Sequence, residues 1–213
     1  FARTLERRAE GAAAVPAAAT AALDGTVLRI RLHHLLPGAA DALDAALDAA
    51  GDAGAAGGIV LDVRDNPGGS RAELARIAGR FLRGPVWIEV DADGDETVHE
   101  AEGPADLAAP LVVLTNGGTH DEAEMLAAAL RDARQARLVG EPSYGHGTLQ
   151  SSVRAGRLVL RLTTGTWRSP AGTALDEAGL APDVEVAGRS EQDAAALRLA
   201  GGAAEASAPG QGG

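Results

Sequence analysis

The residues best suited to chemistry stand at the start of a predicted helix, in the segment Thr119-His120-Asp121-Glu122-Ala123-Glu124. This segment follows an apolar strand and the glycine turn Asn116-Gly117-Gly118. A strand, a tight turn and a helix start together aim side chains and backbone amides at a reacting group. Thr119 and Glu122 have the spacing of a capping box, and Asp121 then falls in the first turn, where the helix dipole favours a negative charge.

Hydrophobic periodicity predicts alternating strands and helices on both sides of this segment. The predicted strands lie at 26–32, 59–63, 86–90, 96–100, 111–115, 137–140, 148–153, 157–164 and near Val184. Helices are predicted at 39–50, after a second capping box at Ser70 and Glu73, at 119–134 and at 190–200. This order of elements places the chain in the α/β class, with a largely parallel sheet.

Composition divides the chain into three parts. Residues 1–24 are rich in Ala and Arg, and they are predicted to be an N-terminal segment ending in a linker around Pro16. Residues 25–188 carry the α/β pattern of one folded domain. Residues 189–213 are predicted to form a last helix and, after Gly201, a loose Gly/Ala/Ser tail.

Composition also excludes several classes of function. The chain has 213 residues, 46% of them hydrophobic, which is enough for one substantial core. A formal net charge of −11 argues against binding to nucleic acid or an anionic membrane surface, because both need a basic face. The absence of cysteine excludes disulfides and thiolate catalysis. No apolar run approaches the ~20 residues of a transmembrane helix.

Four separated segments resemble the C-terminal processing (tail-specific) serine peptidases of the S41 type. They are the strand and turn at 58–69, the nucleophile segment at 110–130, the base loop at 140–150, and the closing strand and turn at 163–172 with 179–184. The resemblance covers about Asp24 to Val186 in the family's order, and it implies a crotonase/ClpP-like α/β core. The peptide-binding PDZ domain common in the family has no room in this chain and is expected to lie upstream or to be missing.

The resemblance also identifies the catalytic positions. The family pattern Asn-x-Gly-Ser/Thr-Ala-Ser-Ala-Ser-Glu is matched at Asn116, Gly118, Thr119 and Glu124. Its nucleophilic Ser falls on Asp121, and the basic Lys of the family's Gly-Glu-Lys-x-Phe-Gly-Lys-Gly-x-x-Gln loop falls on His146. Gln150 keeps the third, orienting position. Both members of the catalytic dyad are therefore replaced.

The replacements change the chemistry that the site can perform. The Ser/Lys mechanism needs a hydroxyl, a neutral Lys and backbone amides that hold an oxyanion. The family implies that these amides lie at the cleft-lining positions Gly68, Gly69, Gly118 and Asp121. A carboxylate is a poor nucleophile toward an amide bond, and Asp121 would instead offer its charge to amides built for an oxyanion. Ser70 and Ser143 are interpreted as a helix cap and a turn residue rather than as displaced nucleophiles.

The alternative hypothesis uses the histidines. His120, Asp121 and His146 are a metal-ligand set of two imidazoles and one carboxylate, which the alignment brings together, and His33-His34 could add to it. Against this set, His120 and Asp121 would point in different directions if both lay on a helix. Ordinary surface or hydrogen-bonded histidines are the simpler interpretation. No cofactor other than this metal is expected.

The sequence therefore predicts a catalytically inactive pseudopeptidase whose former active-site cleft binds a peptide, a protein partner or a small ligand. The alternative is a hydrolase or metal-dependent enzyme that uses Asp121 and His146. An apolar cleft would favour the first hypothesis, and metal bound near His146 would favour the second. The family resemblance implies an extracytoplasmic location, periplasmic or secreted, with any signal peptide upstream of Phe1.

Overall fold

A six-stranded sheet forms the centre of the molecule in a computed structural model that describes residues 17–51, 53–175 and 177–207. Numbered along the chain and given in spatial order, its strands are β1 (Ala19–Asp24), β2 (Val27–Leu32), β3 (Gly58–Asp62), β6 (Leu111–Thr115), β7 (Arg137–Gly140) and β10 (Val184–Glu185). β1 is antiparallel to β2, and the other neighbours are parallel. Every residue of β3 and β6 is buried, which explains their continuous apolar sequences.

Helices cover both faces of this sheet. On one face, α1 (Ala39–Ala50), α2 (Arg71–Ala78) and α3 (Glu122–Arg134) bury their apolar sides in the main core. On the other face, α4 (Arg189–Ser207) packs Ala195, Ala196 and Ala200 against the valines of the sheet. The contact is close, because a Cβ atom on Gly58 would lie 2.4 Å from the carbonyl oxygen of Ala200. Small residues on both sides thus bring α4 directly onto β3.

A second, antiparallel sheet of four strands stands beside the central one. In spatial order it contains β5 (Glu96–Glu100), β4 (Pro85–Asp91), β9 (Leu158–Arg168) and β8 (Thr148–Ala155). The sequence predicted these four strands and the mixed α/β class, and both predictions are confirmed. Their assembly into a separate sheet was not predicted, since β4 and β9 are distant in sequence.

Both ends of the described chain are more ordered than the sequence indicated. The prediction of a linker is wrong for residues 19–22, which belong to β1 and pair with β2 along its full length. The prediction of a loose tail from Gly201 is wrong as far as Ser207, because α4 continues through Gly201 and Gly202. Residues 1–16 and 208–213 lie outside the described part, and most of the predicted N-terminal segment falls there.

The second predicted capping box is not formed. Ser70 does occupy the N-cap position of α2, but its side chain makes no capping hydrogen bond. The Glu73 carboxylate instead accepts hydrogen bonds from the backbone amides of Gly38 (3.2 Å) and Ala40 (2.7 Å), at the start of α1. Since the N-cap of α1 is a glycine, which has no side chain, a carboxylate from the neighbouring helix satisfies these amides.

Candidate functional site

A strained turn between β6 and α3 carries the residue at the nucleophile position. Asp121 is the N-cap of α3, with φ 49° and ψ −120°, and the helix begins at Glu122. A residue other than glycine held at positive φ costs on the order of 1–3 kcal/mol and persists only when its surroundings impose it. Such strain clusters at active sites, where a sharp strand-to-helix turn exposes one side chain. The turn thus presents the Asp121 carboxylate to the cleft.

Thr119 is not the helix cap that its spacing predicted. The threonine is fully buried, two residues before the N-cap. Its hydroxyl donates to the Val63 carbonyl (2.9 Å) and accepts from the Asn116 amide (3.1 Å). Because these partners belong to the chain after β3 and the chain after β6, Thr119 joins the two turns that form the floor of the site.

Glu124 organises the site. Its carboxylate is fully buried and accepts four hydrogen bonds. One oxygen accepts hydrogen bonds from the Ser143 hydroxyl (2.6 Å) and the Gly145 amide (2.7 Å). The other accepts from the backbone amides of His146 (3.0 Å) and Asp121 (3.1 Å). One side chain therefore fixes the backbone of both residues that replace the dyad. The sequence identified Glu124 as a motif match and missed this role.

Asn116 and Asp65 fasten the neighbouring turn. The Asn116 side chain accepts from the Asp65 amide (2.9 Å) and donates to the Asp65 carboxylate (2.8 Å). The hydrogen bond from Asn116, reinforced by the Arg189 guanidinium, holds the pKa of Asp65 below its ordinary value despite partial burial. Asp65 also has positive φ, 55°, which Asp tolerates better than most residues.

Three side chains meet at the mouth of this turn, and we call them the His–Asp–His cluster: His120, Asp121 and His146. One potential ligand atom from each side chain, a ring nitrogen or a carboxylate oxygen, lies within 4.8 Å of those of the other two. The Nδ1 atom of His146 contacts one oxygen of Asp121, and Nδ1 of His120 lies 3.1 Å from the other. The expectation that His120 and Asp121 point apart is wrong, because both precede the first helical residue and the strained turn directs them together.

Residues next to the cluster contact the two histidines and fix their positions. The Nε2 atom of His146 is 2.9 Å from the Thr148 hydroxyl, and the His146 carbonyl accepts the indole N–H of Trp167 (2.9 Å). The His120 ring packs on Tyr144 with centroids 4.0 Å apart. The arrangement can act as an acid/base pair or as a set of metal ligands, but it contains no hydroxyl nucleophile.

The four backbone amides proposed for an oxyanion each have a side-chain acceptor. Gly68 donates to Asn66 (2.9 Å), Gly118 to Asn116 (3.0 Å) and Asp121 to Glu124 (3.1 Å). The Gly69 amide donates to the Glu122 carboxylate at 2.7 Å. Glu122 stands where the family pattern has Ala, and its carboxylate accepts the hydrogen bond of a backbone amide that lines the cleft. The contact was not predicted from the sequence, although Glu122 departs from the family pattern at this position.

The cluster opens into a cleft of about 680 Å³ between α2, α3 and β8. Its lining is mostly polar or charged and includes Ser70, Arg71, Glu122, Gln150 and Arg161. Gln150 lines the cleft near His146 without a hydrogen bond to it among the described contacts. The cleft is therefore not the apolar pocket that would have favoured the first hypothesis over the second.

The remaining predicted residues lie apart from the cluster. Ser143 is buried and donates its hydroxyl to Glu124, which agrees with its interpretation as a turn residue. His33 accepts a hydrogen bond from Arg31 (3.4 Å), and burial lowers its pKa. Neither His33 nor His34 joins the three-residue group that could hold a metal.

The fold and the strand–turn–helix site define a peptidase-type α/β domain, and the chain belongs to Peptidase family S41. The profile of that family matches residues 26–186. The chain is 30% identical over 165 residues to the carboxy-terminal processing protease CtpA of Bacillus subtilis, covering 76% of this chain and 35% of that protein. It is 38% identical over 129 residues to carboxyl-terminal-processing peptidase 2, chloroplastic, of Arabidopsis thaliana, covering 59% and 25%.

Solved structures give the same assignment. The photosystem II D1 C-terminal processing protease superposes with a TM-score of 0.68 at 30% identity, over 78% of this chain and 45% of that one. A lipoprotein from Streptococcus agalactiae shares the fold, with a TM-score of 0.71 at 16% identity over 85% and 70%. The predicted family and fold are confirmed. The chain spans about a quarter to a third of the length of the two curated relatives. None of the helices in the described residues is both long and apolar enough to cross a membrane.

Proposed function

We propose that this chain is an S41 domain without serine-peptidase activity that binds an extended peptide segment of a protein partner in the former active-site cleft. The observation that carries the proposal is the Asp121 carboxylate at the nucleophile position, in contact with His146 rather than with a basic Lys. A carboxylate is a poor nucleophile toward an amide bond and does not supply the hydroxyl that serine-peptidase acyl transfer requires. The occupied Gly69 amide supports the same conclusion, since an oxyanion would have to displace Glu122.

The shape of the cleft supports a peptide. A volume of about 680 Å³ is within the range of ligand sites, and the polar lining suits a peptide backbone better than an apolar ligand. β8 is the edge strand of its sheet, and Thr148, Leu149 and Gln150 on this strand line the cleft. An extended peptide can add to such an edge through backbone hydrogen bonds.

The outer half of β8 and β9 supports a protein as the source of that peptide. Five large apolar side chains are between 44% and 65% exposed there, namely Val153, Leu158, Val159, Leu160 and Leu162. An exposed apolar group of this size is typical of an interaction surface. Four of them, Val153, Leu158, Leu160 and Leu162, share the face of the β8–β9 pair opposite to Arg161, so a protein that placed a strand in the cleft would reach them by wrapping around the β8 edge.

Arg161 offers the sharpest test of peptide binding. It lies on the cleft wall, is exposed, and forms no ion pair with any described residue. Labelled ten-residue peptides of random sequence should bind saturably. Arg161→Glu should weaken the binding of the negatively charged peptides among them roughly tenfold. Arg157→Glu, at the β8–β9 turn outside the cleft lining, is the matched control and should change affinity less than twofold.

Trp167 provides the readout, because its indole donates to the His146 carbonyl. In a Trp87→Phe background it is the remaining tryptophan, and its emission should change on peptide binding. Equal affinity in the Arg161 and Arg157 variants would contradict a site in this cleft. Mass spectrometry of the recovered peptides should find them intact.

A second candidate, a metal-dependent hydrolase using Asp121 and His146, is favoured by one observation, the convergence of the His–Asp–His cluster inside a polar cleft. Cleavage that appears with added Zn²⁺ and disappears with a chelator would establish it in place of the first. For either function we propose an extracytoplasmic location on the family resemblance, and cell fractionation with an antibody against the chain tests it.

A further inference from the structure

The His–Asp–His cluster contains two nitrogen atoms that lack hydrogen-bond partners. The Nδ1 atoms of His120 and His146 are both buried, and neither makes a hydrogen bond although each lies beside the Asp121 carboxylate. Buried polar atoms without partners are rare in folded proteins, and a bound ion is one of the standard reasons for them. These two atoms point at the same carboxylate, so one ion could satisfy both.

The surroundings of His146 suit a metal ligand. Its other ring nitrogen, Nε2, is 2.9 Å from the Thr148 hydroxyl. Ligating histidines usually donate their second N–H to an oxygen, which fixes the tautomer and leaves the first nitrogen with a free lone pair. When Nε2 donates to Thr148, the lone pair of Nδ1 is directed into the cluster.

The other two members are also held in place. The His120 ring rests on Tyr144, and the Asp121 backbone is tied to the buried Glu124 carboxylate. In a tetrahedral site with bonds of about 2.0–2.1 Å, ligand atoms are about 3.3 Å apart. One ligand atom from each residue lies within 4.8 Å of the other two, so side-chain rotations that change these separations by up to about 1.5 Å complete the geometry.

We propose that His120, Asp121 and His146 bind a divalent transition-metal ion of the Zn²⁺ type. Two imidazoles and one carboxylate suit Zn²⁺, Co²⁺ or Ni²⁺, whereas Ca²⁺ and Mg²⁺ prefer oxygen ligands only. Three protein ligands leave a fourth position for water or a ligand group, and His146 and Asp121 line the cleft into which that position opens. The inference goes beyond the proposed peptide binding and does not depend on it.

Calorimetric titration of the chelator-treated chain with Zn²⁺ tests the proposal. One ion should bind per chain, Co²⁺ should bind with the visible absorption of a tetrahedral site, and Ca²⁺ should not compete. Changing any one ligand, as in His120→Ala, Asp121→Ala or His146→Ala, should weaken binding at least tenfold. His99→Ala is the matched control, because His99 lies in β5 outside the cluster, and its affinity should stay within twofold of the native chain.

Thr148 separates a ligand set from a simple ion pair. Thr148→Val should weaken Zn²⁺ binding on the order of tenfold and Thr148→Ser should restore it, as expected for an oxygen that orients a ligating ring. Thermal unfolding with and without Zn²⁺ confirms that each variant is folded and should show a metal-dependent rise in Tm that His146→Ala removes. Absence of saturable binding, or binding that survives His146→Ala, would overturn the proposal and leave an Asp–His ion pair. These readouts use no peptide, so failure here is distinct from failure of the proposed function.

Discussion

The residues that support the site and the residues that would react in it differ in how they follow the family pattern. Asn116, Thr119 and Glu124 match the pattern, and each makes at least one side-chain hydrogen bond to a separate segment. Asp121 and His146 depart from it, yet their backbones are fixed by the same Glu124. The supporting residues Asn116, Thr119 and Glu124 therefore keep the geometry of the site although the two reacting residues are different. Substitutions on the two sides should therefore have opposite consequences for stability and chemistry.

The largest effect is expected from the support. Glu124→Gln replaces one carboxylate oxygen, which accepts two hydrogen bonds, with an amide group that faces the same two donors, and it should lower the free energy of unfolding by about 3 kcal/mol. Urea unfolding followed by circular dichroism measures the change. Glu100→Gln, an exposed glutamate in β5, is the control and should stay within about 0.5 kcal/mol of the native chain. A loss of similar size in both variants would remove the special role of Glu124.

A substitution among the reacting residues should have the opposite sign. Asp121→Gly relieves the strain of φ 49°, which glycine adopts freely, and should raise the free energy of unfolding by about 1 kcal/mol. The same change at Asp48, exposed in the last turn of α1, should lower it by about 1 kcal/mol because that position is helical. Urea unfolding of the pair gives the comparison directly. Destabilisation by both would mean that Asp121 supports the fold through its contacts with the histidines.

The smallest effect concerns pH and the turn beside the cluster. Because the folded pKa of Asp65 is lowered, its contribution to stability is present above the ordinary Asp pKa of about 4 and is lost as the pH falls through the lower folded pKa. The Asp65 side chain is 50% exposed, so the contribution is below about 1 kcal/mol. Asp65→Asn tolerates the positive φ and should flatten the stability profile between pH 5 and pH 2, as measured by urea unfolding. An unchanged profile would contradict this pairing.

Most elements and the register of the site could be predicted from sequence. β6 and β7 have the predicted bounds, and the register of Asn116 and Glu124 placed Asp121 and His146 correctly beside each other. The two capping boxes predicted from sequence spacing were wrong. Thr119 and Glu73 have that spacing, but their side chains bond to neighbouring segments instead. Such partners depend on tertiary contacts that spacing along one helix does not contain.

The convergence of His120 on Asp121 could not be predicted for a related reason. Residues adjacent on a helix diverge, and only the positive φ of Asp121 brings the two side chains together. The Glu122 contact with Gly69 likewise requires the turn after β3 to lie against the start of α3. Both features belong to the strained turn, which the sequence indicated only through its departures from the family pattern.

The central claim is that the support is intact while the reacting groups have lost peptidase chemistry. The most direct test measures hydrolysis of an unstructured protein by the native chain, by Asp121→Ser/His146→Lys, and by the same pair with Glu122→Ala added. We predict no cleavage by the native chain, a measurable rate in the double variant, and a higher rate in the triple variant because the Gly69 amide is then free. Cleavage by the native chain that Asp121→Ala abolishes would contradict the account.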